Sequence, residues 1–359
     1  MAPAAERKRT RRIVGGVDTH LETHHAAVQL MNGARIADAQ FPATSRGYAL
    51  LLAWLRSFGR LHAVGVEGTG AYGAGLTRYL HDHGVQVIEV NRPDRGQRRA
   101  KGKSDPLDAY AAADAVLAGR ARTVPKSADG IVESIRAIHT IRAGAVKART
   151  AAMNELRSLL VTAPAALREQ LTAKTARQLI HTCAHLRPSD TRDPGQGVKF
   201  ALRAVARRHQ QLTEEITAAD EELHLLVNQA RPDLTALRGV GDETAAQLLI
   251  TAGDNPDRLT GQAAFAALCG VSPIPASSGK TRRHRLNRGG DRQANRALHT
   301  IALSRMSHCP RTRAYVARRT AQGLDTKEIM RCLKRYIARE IFKILTRANT
   351  LSEEGLHAA

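Results

Sequence analysis

Short apolar runs separated by polar turns dominate the first third of the chain. Helical spacing is predicted for residues 71–83 and again from Asp105 to about Leu117, where Pro106 fits the first turn and Asp105 is the expected N-cap. Strands that alternate with helices indicate an α/β sheet. The apolar runs have strand length and cover residues 12–18, 25–31, 34–41, 62–67 and 85–90.

The middle of the chain has the spacing of long amphipathic helices, predicted over residues 127–161 and 198–229 with prolines and a loop between them. An antiparallel pair within one chain and pairing between subunits would both bury their apolar seams, so both interpretations stay open. The seam of the second helix has coiled-coil spacing and runs through Leu202, Val205, His209, Leu212, Ile216, Ala219, Leu223 and Leu226. The apolar seam of the first helix is spaced less regularly and runs through Ile131, Ile135, Ile138, Ala145, Ala152, Leu156 and Leu159.

Four acidic residues follow from this pattern as candidate metal ligands. Asp18 and Glu67 end apolar strands, and the ligands of α/β sheets gather beyond the carboxyl ends of their strands. Asp105 and Asp108 are three apart, so they share one side of a first helical turn. Converging carboxylates repel one another unless a cation lies between them, and oxygen ligands favour Mg²⁺ or Mn²⁺. Two such ions would suit phosphoryl transfer.

Other interpretations of these residues stay open. Each acid taken alone could be a helix cap or a solvated strand end. A sugar-kinase-like or actin-like domain also has a sheet with acids at its first and fourth strands. His20, His24 and His25 follow Asp18 and either border the site or lie in a solvated turn, and the solvated turn is the interpretation we prefer.

Charge favours a nucleic-acid partner over a sugar or nucleotide substrate. The chain has 55 Lys and Arg against 33 Asp and Glu, a formal net charge of +22. Clustered positive charge predicts a polyanionic ligand, because phosphate neutralisation releases counterions. The clusters lie at residues 6–12, 92–103, 282–296 and 331–347, and the first is expected to belong to a disordered arm.

Composition excludes several classes of protein. A chain of 359 residues with 43% hydrophobic residues is long and apolar enough for two or three domains with cores, so disorder throughout is excluded. No run of eighteen apolar residues and no signal peptide is visible, which predicts a cytoplasmic, nucleoid-associated protein without a membrane partner. The four cysteines have no CxxC spacing and are expected to be free thiols.

Two segments of the last third are candidate nucleic-acid contacts. The segment Leu237–Leu249 resembles a helix-hairpin-helix, in which Gly239 and Gly241 would aim backbone N–H groups at a phosphate. A plain connection between two helices, without a ligand, is the alternative. The second segment, 265–299, is rich in arginine.

Ser278 is the candidate nucleophile of that second segment. It precedes Gly279 in a loop stiffened by Pro273 and Pro275, although a serine beside glycine is usually an ordinary turn residue. Asp291 is expected to cap a helix that places Arg292, Asn295, Arg296 and His299 on one side. Cationic side chains would favour the alkoxide and hold a phosphate, and they are Lys280, Arg282, Arg283, Arg285 and Arg288.

Four motifs together resemble the insertion-sequence transposases related to the pilin invertase Piv. They are Gly16-Val17-Asp18, Val66-Glu67-Gly68-Thr69-Gly70, Lys103-Ser104-Asp105 with Asp108, and the late segment Gly270–Pro273, Ser277–Lys280 and Arg288–Arg292. The resemblance spans nearly the whole chain. It implies a RuvC-like, RNase-H-fold domain with the four acids (DEDD), a coiled-coil region, and a helical C-terminal transposase domain with a helix-hairpin-helix-like element and a serine nucleophile.

The resemblance also implies residue roles and partners. The family's serine stands immediately before the glycine, which selects Ser278 and leaves Ser277 as the fallback. Asp18, Glu67, Asp105 and Asp108 would hold Mg²⁺ or Mn²⁺. A structured guide RNA would pair with donor and target DNA, and dimers or tetramers would share active sites between subunits. Arg288-Gly-Gly-Asp replaces the Lys-Arg-Gly of many relatives, a departure that leaves the serine assignment intact.

The predicted organisation combines an α/β domain with all-α regions. It places a basic disordered arm at 1–12, a RuvC-like domain at 13–125, coiled-coil helices at 126–230, a transposase domain at 231–350 and a tail at 351–359. Two rival functions remain. A junction-resolving nuclease would use metal-activated water and leave Ser278 as a loop residue. A non-catalytic nucleic-acid-binding protein would use neither site.

Overall fold

A computed structural model describes residues 11–90, 104–278 and 284–347 of the chain. The chain divides into two compact units. The first comprises Met1–Gly130 together with Ala252–Thr260, and the second comprises Ile131–Thr251 and Gly261–Ala359. The expected arm at 1–12 lies almost wholly outside the described residues, and so do the basic cluster at 92–103 and the tail at 351–359.

The first unit is built on a mixed five-stranded sheet with the order β3-β2-β1-β4-β5. Strands β1 to β3 form an antiparallel meander, whereas β4 and β5 run parallel to β1. This arrangement is consistent with the RNase-H-like or RuvC-like domain expected from the sequence. The strands are β1 (Arg12–Thr19), β2 (Thr23–Leu30), β3 (Arg35–Pro42), β4 (Arg60–Glu67) and β5 (Val87–Val90).

Helices cover both faces of the sheet. Helices α1 (Ser45–Ser57) and α2 (Ala74–Asp82) pack their leucines against β1 and β4 in one core cluster, and α3 (Asp105–Leu117) packs on the opposite face. The helix predicted at 71–83 begins three residues later. The preceding residues instead form turns, in which the N–H groups of Ala71 and Gly73 donate to the carbonyl oxygen of Gly68.

Two paired glycines allow α3 to lie directly on the sheet. Gly16 of β1 and Gly65 of β4 are partners in the parallel register. A Cβ atom at Gly16 would overlap the carbonyl oxygen of Ala109, and one at Gly65 would lie 2.7 Å from that of Ala112. Because both glycines lack a side chain, the backbone of α3 approaches β1 and β4 more closely than any other residue would permit.

The first turn of α3 begins one residue earlier than predicted. Ser104 has extended backbone angles and is the N-cap, so the expectation that Asp105 caps the helix is wrong. The Asp108 N–H donates to the Ser104 carbonyl oxygen at 3.0 Å, which places Asp105 within the helix. Pro106 is in the first turn as predicted, where its missing N–H leaves no hydrogen bond broken.

The second unit is centred on two long helices, α4 (Ile131–Val161) and α7 (Pro194–Ala230). They pack together antiparallel, because Arg142 pairs with Asp220 and Arg208 with Glu155, so residue numbers rise along one helix as they fall along the other. The interpretation in which the two seams bury each other within one chain is therefore the one observed.

The predicted seam of α7 is only partly followed. Leu202, Val205, Ile216, Ala219 and Leu223 are buried as expected. Leu212 and Leu226 stay partly exposed, and Val227 and Ala230 are buried near the end of the helix. A straight helix has 3.6 residues per turn, so over 37 residues its buried face drifts away from a strict seven-residue repeat.

Two short helices lie where the sequence predicted only breaks. They are α5 (Ala165–Thr172) and α6 (Ala176–Ala184), and both pack into the same core cluster as α7. Pro164 is the residue before α5, and Thr175 with Gln178 forms a capping box at the start of α6. Because Pro164 precedes a helix rather than ending one, the interpretation of this stretch as a break was wrong.

The last part of the second unit is helical except for a two-stranded ribbon. No helix within the described ranges is long and apolar enough to cross a membrane. All four cysteines are free thiols, as predicted. The helices are α8 (Pro232–Thr235), α9 (Asp242–Ala252), α10 (Gln262–Leu268), α11 (Arg292–His308), α12 (Pro310–Ala321) and α13 (Thr326–Leu345), and the ribbon is β6 (Ile274–Pro275) with β7 (His284–Arg285).

Candidate active site

Asp18 and Glu67 lie side by side at one edge of the sheet. The parallel register pairs Val17 with Val66, so the next residue of each strand is one of these acids. The Thr19 hydroxyl donates to the Glu67 carbonyl oxygen at 2.8 Å and ties the two strand ends together. Side chains alternate along a strand, so Asp18 and Glu67 share the face on which Gly16 and Gly65 admit α3.

The first turn of α3 brings the other two acids to the same face. Asp105 and Asp108 both lie in that turn, and the Asp108 side chain is buried, with 8% of the residue exposed. Asp18 is similarly buried, at 7%. The backbone therefore directs all four predicted acids towards one edge of one sheet face, while their role as metal ligands stays a prediction.

The tightest group of ligand atoms includes a histidine. Asp18, His20 and Asp105 each offer one ligand atom, and these three atoms lie within 4.8 Å of one another. Among the described residues, Glu67 and Asp108 are outside this group of three. Two carboxylates and an imidazole are donors that Mn²⁺ accepts, so the donor set fits one of the two ions that the sequence implies.

The two histidines that follow in β2 are not turn residues. His24 is fully buried and stacks on Tyr48 with ring centroids 5.6 Å apart, and burial lowers its pKa. His25 is the cross-strand partner of Asp18, and its Nε2 lies 2.8 Å from Asp38. The solvated-turn interpretation is wrong for both, because β2 begins at Thr23.

Polar contacts hold α3 against β2 and β3. The Tyr110 hydroxyl donates to Asp38 at 3.3 Å, and the Gln29 amide donates to Asp114 at 3.0 Å. Burial and the neighbouring Asp38 carboxylate raise the pKa of Tyr110, so it remains a hydrogen-bond donor at neutral pH. These contacts fix the position of α3, and with it that of its acidic first turn.

The serine loop belongs to the second unit. Strands β6 and β7 pair antiparallel, Ile274 with Arg285 and Pro275 with His284, and Ser278 lies three residues after β6. Ser278 is exposed, and so are Arg285 and Arg288. The other predicted cations of the loop, Lys280, Arg282 and Arg283, lie outside the described residues.

A network of partly buried polar contacts lies beside strands β6 and β7. The Asn295 amide donates to the carbonyl oxygens of Cys269 at 3.1 Å and Gly270 at 2.9 Å, and its own oxygen accepts from Lys334 Nζ at 2.8 Å. The Asn287 amide donates to the Ser272 hydroxyl at 2.8 Å. Lys334 is only 7% exposed, and burial lowers its pKa.

The predicted cap of the following helix is confirmed. One Asp291 oxygen accepts the N–H groups of Gln293 at 2.8 Å and Ala294 at 3.2 Å, and the other accepts from the Thr251 hydroxyl at 2.7 Å. Asn295 is turned into the network beside β6 and β7. Of the residues predicted on the same side of the helix, Arg292, Arg296 and His299 are exposed.

Sequence reasoning missed Lys334 and Thr251. A signal for Lys334 was present, because it occupies an inward position of the amphipathic helix α13 between the buried residues Met330, Leu333 and Ile337. A lysine on an apolar face has to find a buried partner. Thr251 gave no comparable signal, since threonine is ordinary at the end of a helix.

The glycine turn between α8 and α9 has internal partners. Gly239 has a φ of +82° and packs against the last turns of α11, and the Gly241 N–H donates to the Thr244 hydroxyl at 3.1 Å. Glu243 follows in α9, and its contacts with His139 hold its pKa below the usual range. The Gly241 N–H already has a hydrogen-bond partner, and the nearby Glu243 carboxylate carries a negative charge that would repel a phosphate. Both observations favour the alternative in which this turn connects two helices without a ligand.

Two family models and one relative agree with this architecture. Residues 15–163, which include all four predicted acids, match the IS110-type DEDD model, described as a transposase. Residues 232–317, which include Ser278, match the model described as the transposase IS116/IS110/IS902 family. Both models describe transposase domains.

The chain therefore carries two transposase domains of the IS110 type, one over each matched range. The insertion element IS110 uncharacterized 43.6 kDa protein of Streptomyces coelicolor (strain ATCC BAA-471 / A3(2) / M145) is 31% identical over 150 residues, which cover 40% of this chain. The matched span is 37% of the length of that relative.

Proposed function

We propose that this protein is the transposase of an insertion sequence and that it cuts and rejoins DNA through a covalent serine intermediate. The observation that supports the proposal is that Asp18 and Glu67 end neighbouring parallel strands, while Asp105 in the first turn of α3 offers a ligand atom within 4.8 Å of one from Asp18. These residues lie within the region that matches a DEDD transposase model.

The four acids are the proposed ligands of Mg²⁺ or Mn²⁺. The ion, when bound, supplies Lewis acidity at the scissile phosphate. The chain contributes the positions of the carboxylates. Strand register fixes the positions of Asp18 and Glu67. The close packing of α3 on Gly16 fixes the positions of Asp105 and Asp108. Such preorganisation limits the reorganisation needed when the phosphate arrives.

The proposed chemical step uses the Ser278 hydroxyl. Its Oγ forms a bond to phosphorus while the bond from phosphorus to one deoxyribose oxygen breaks, and the serine proton leaves with the departing oxygen. Rejoining is the reverse reaction with a new strand end, which returns the proton to serine. The phosphodiester energy is conserved, so no nucleotide cofactor is required.

The exposed arginines are the proposed phosphate contacts. Arg285 lies in β7 and Arg288 three residues after it, and Arg292 and Arg296 lie on the exposed face of the helix that follows. A guanidinium group binds phosphate with two parallel hydrogen bonds, which fixes the orientation of the backbone being cut. Lys280, Arg282 and Arg283 join this group on the strength of their positions in the sequence close to Ser278.

The proposed partners are donor DNA, target DNA and a structured guide RNA, in a dimer or tetramer. The net charge of +22 supports a nucleic-acid partner of substantial size. The long pair α4 and α7 is the proposed coiled-coil region, with further faces available to a second subunit. The Piv relation, the guide RNA and the oligomer rest on the resemblance, and the proposed cytoplasmic location beside the nucleoid rests on the sequence features given above.

The proposal is tested by strand cutting with the full chain, its co-purified RNA and Mg²⁺. Asp18→Asn should lower the cutting rate by at least about a hundredfold, because it removes the charge that holds the ion while the shape of the side chain is kept. Asp82→Asn is the matched control, since Asp82 is an exposed acid at the end of α2. Equal cutting by both variants would contradict the metal site.

A further inference from the structure

Besides the four acids, the proposed metal site has one further possible ligand, the side chain of His20. His20 follows β1 directly, and its Nδ1 lies 3.8 Å from Asp18 Oδ2. It also completes the group in which the ligand atoms of Asp18, His20 and Asp105 lie within 4.8 Å of one another. The His20 side chain is 44% exposed, so the imidazole is reachable from solvent.

These separations are close to those of ligands on one ion. Ligands about 2.1 Å from a metal are at most about 4.2 Å apart, so small side-chain rotations bring all three atoms to a common ion. His20 is suited to such a rotation because it lies outside β1 and is not packed in the core. His24 and His25, by contrast, are engaged by Tyr48 and Asp38.

We infer that His20 is a ligand of the divalent ion, which makes the site a mixed carboxylate and imidazole centre rather than a set of oxygens alone. This inference rests on the proposed function, since it concerns the same ion. Its consequence is selectivity. An imidazole nitrogen favours Mn²⁺ and later transition metals over Mg²⁺, whereas carboxylates accept both. The side chain therefore biases the centre towards Mn²⁺.

The test is the binding of Mn²⁺ alone to the full chain, followed by electron paramagnetic resonance. Pulsed spectra of bound Mn²⁺ report a coupled ¹⁴N nucleus only when a nitrogen is in its coordination shell. The variants are His20→Gln, Asp18→Asn and the matched control His81→Gln, because His81 is an exposed histidine in α2. Competition between Mn²⁺ and Mg²⁺ then measures selectivity.

The wild-type protein and His81→Gln should show the nitrogen coupling, and His20→Gln should lose it with a fall in Mn²⁺ affinity of about tenfold and a smaller fall for Mg²⁺. Bound Mn²⁺ without nitrogen coupling in the wild type, or coupling that persists in His20→Gln, would overturn the inference and leave the carboxylate site standing. Absence of Mn²⁺ binding, or binding unchanged in Asp18→Asn, would overturn the proposed metal site itself.

Discussion

Asp18 follows Gly16 by two residues on the same strand, and that spacing decides which face of the sheet its carboxylate occupies. The same is true of Glu67 and Gly65 on the neighbouring strand. The sequence predicted the four acids from their places at strand ends and in a helical turn. It could not predict that paired glycines bring the helix to the same face, because that pairing depends on strand register.

Lys334 is a residue whose burial leads to a prediction about stability. Burial lowers its pKa below the ordinary 10.5, so the folded protein releases this proton at a lower pH than the unfolded chain. Between those two pKa values the unfolded state binds more protons, and the contribution of Lys334 to stability therefore rises with pH. Lys334→Met should abolish that rise.

The measurement is the free energy of unfolding in urea at several pH values up to 10.5, as the difference between wild type and variant. Lys343→Met is the control, because Lys343 is exposed in the same helix. The difference should grow with pH for Lys334→Met and stay constant for Lys343→Met. Parallel curves for the two variants would contradict the buried position of the lysine.

The position of two of the four acids depends on helix α3, and the close packing of this helix on the sheet can be tested. Gly16→Ala would place a methyl group into the carbonyl oxygen of Ala109, so the helix must shift. We expect a loss of about 1–3 kcal/mol in the free energy of unfolding, as for other overpacked sites. The displaced Asp105 should also weaken Mn²⁺ binding.

Calorimetry and Mn²⁺ titration measure the two effects. Gly70→Ala is the control in the same unit, since nothing lies within 4 Å of the position that its Cβ would take. If Gly16→Ala were as stable as Gly70→Ala and bound Mn²⁺ equally well, the close approach of α3 would not be what positions the acids.

Elements were predicted well where periodicity was strong. The five strands, the extent of α3 and the two long helices agree with the sequence to within a few residues. Helices α5 and α6 were missed because the prolines between the two long helices suggested breaks, whereas Pro164 precedes a helix. The ribbon of β6 and β7 is too short to give an alternating pattern, so this segment was expected only as a basic loop.

At the scale of the whole molecule, charge predicts how nucleic acid binds. A chain with a net charge of +22 should bind duplex DNA chiefly through phosphates. With six or more phosphate contacts, affinity should fall on the order of a thousandfold between about 50 and 200 mM salt. Fluorescence anisotropy with a labelled duplex measures this slope, and an affinity that does not change with salt would contradict it.

The sequence predicted only in part which residues belong to which of the two units. The acids belong to the first unit and Ser278 to the second, as the separation of the motifs suggested. The sequence did not indicate that residues 252–260, which follow α9, pack with the first unit. There the Asn255 amide donates to the Pro125 carbonyl oxygen at 3.0 Å, a contact between residues 130 positions apart in sequence.

The central claim is that Ser278 and the metal-bound acids perform one reaction. The most direct measurement traps the protein–DNA complex during strand cutting, digests it and identifies the DNA-linked residue by mass spectrometry. We predict a phosphodiester on Ser278 in the wild type and in Ser277→Ala, and none in Ser278→Ala or Asp18→Asn. Strand cutting that continues in Ser278→Ala without any adduct would contradict the claim and identify a nuclease that uses water.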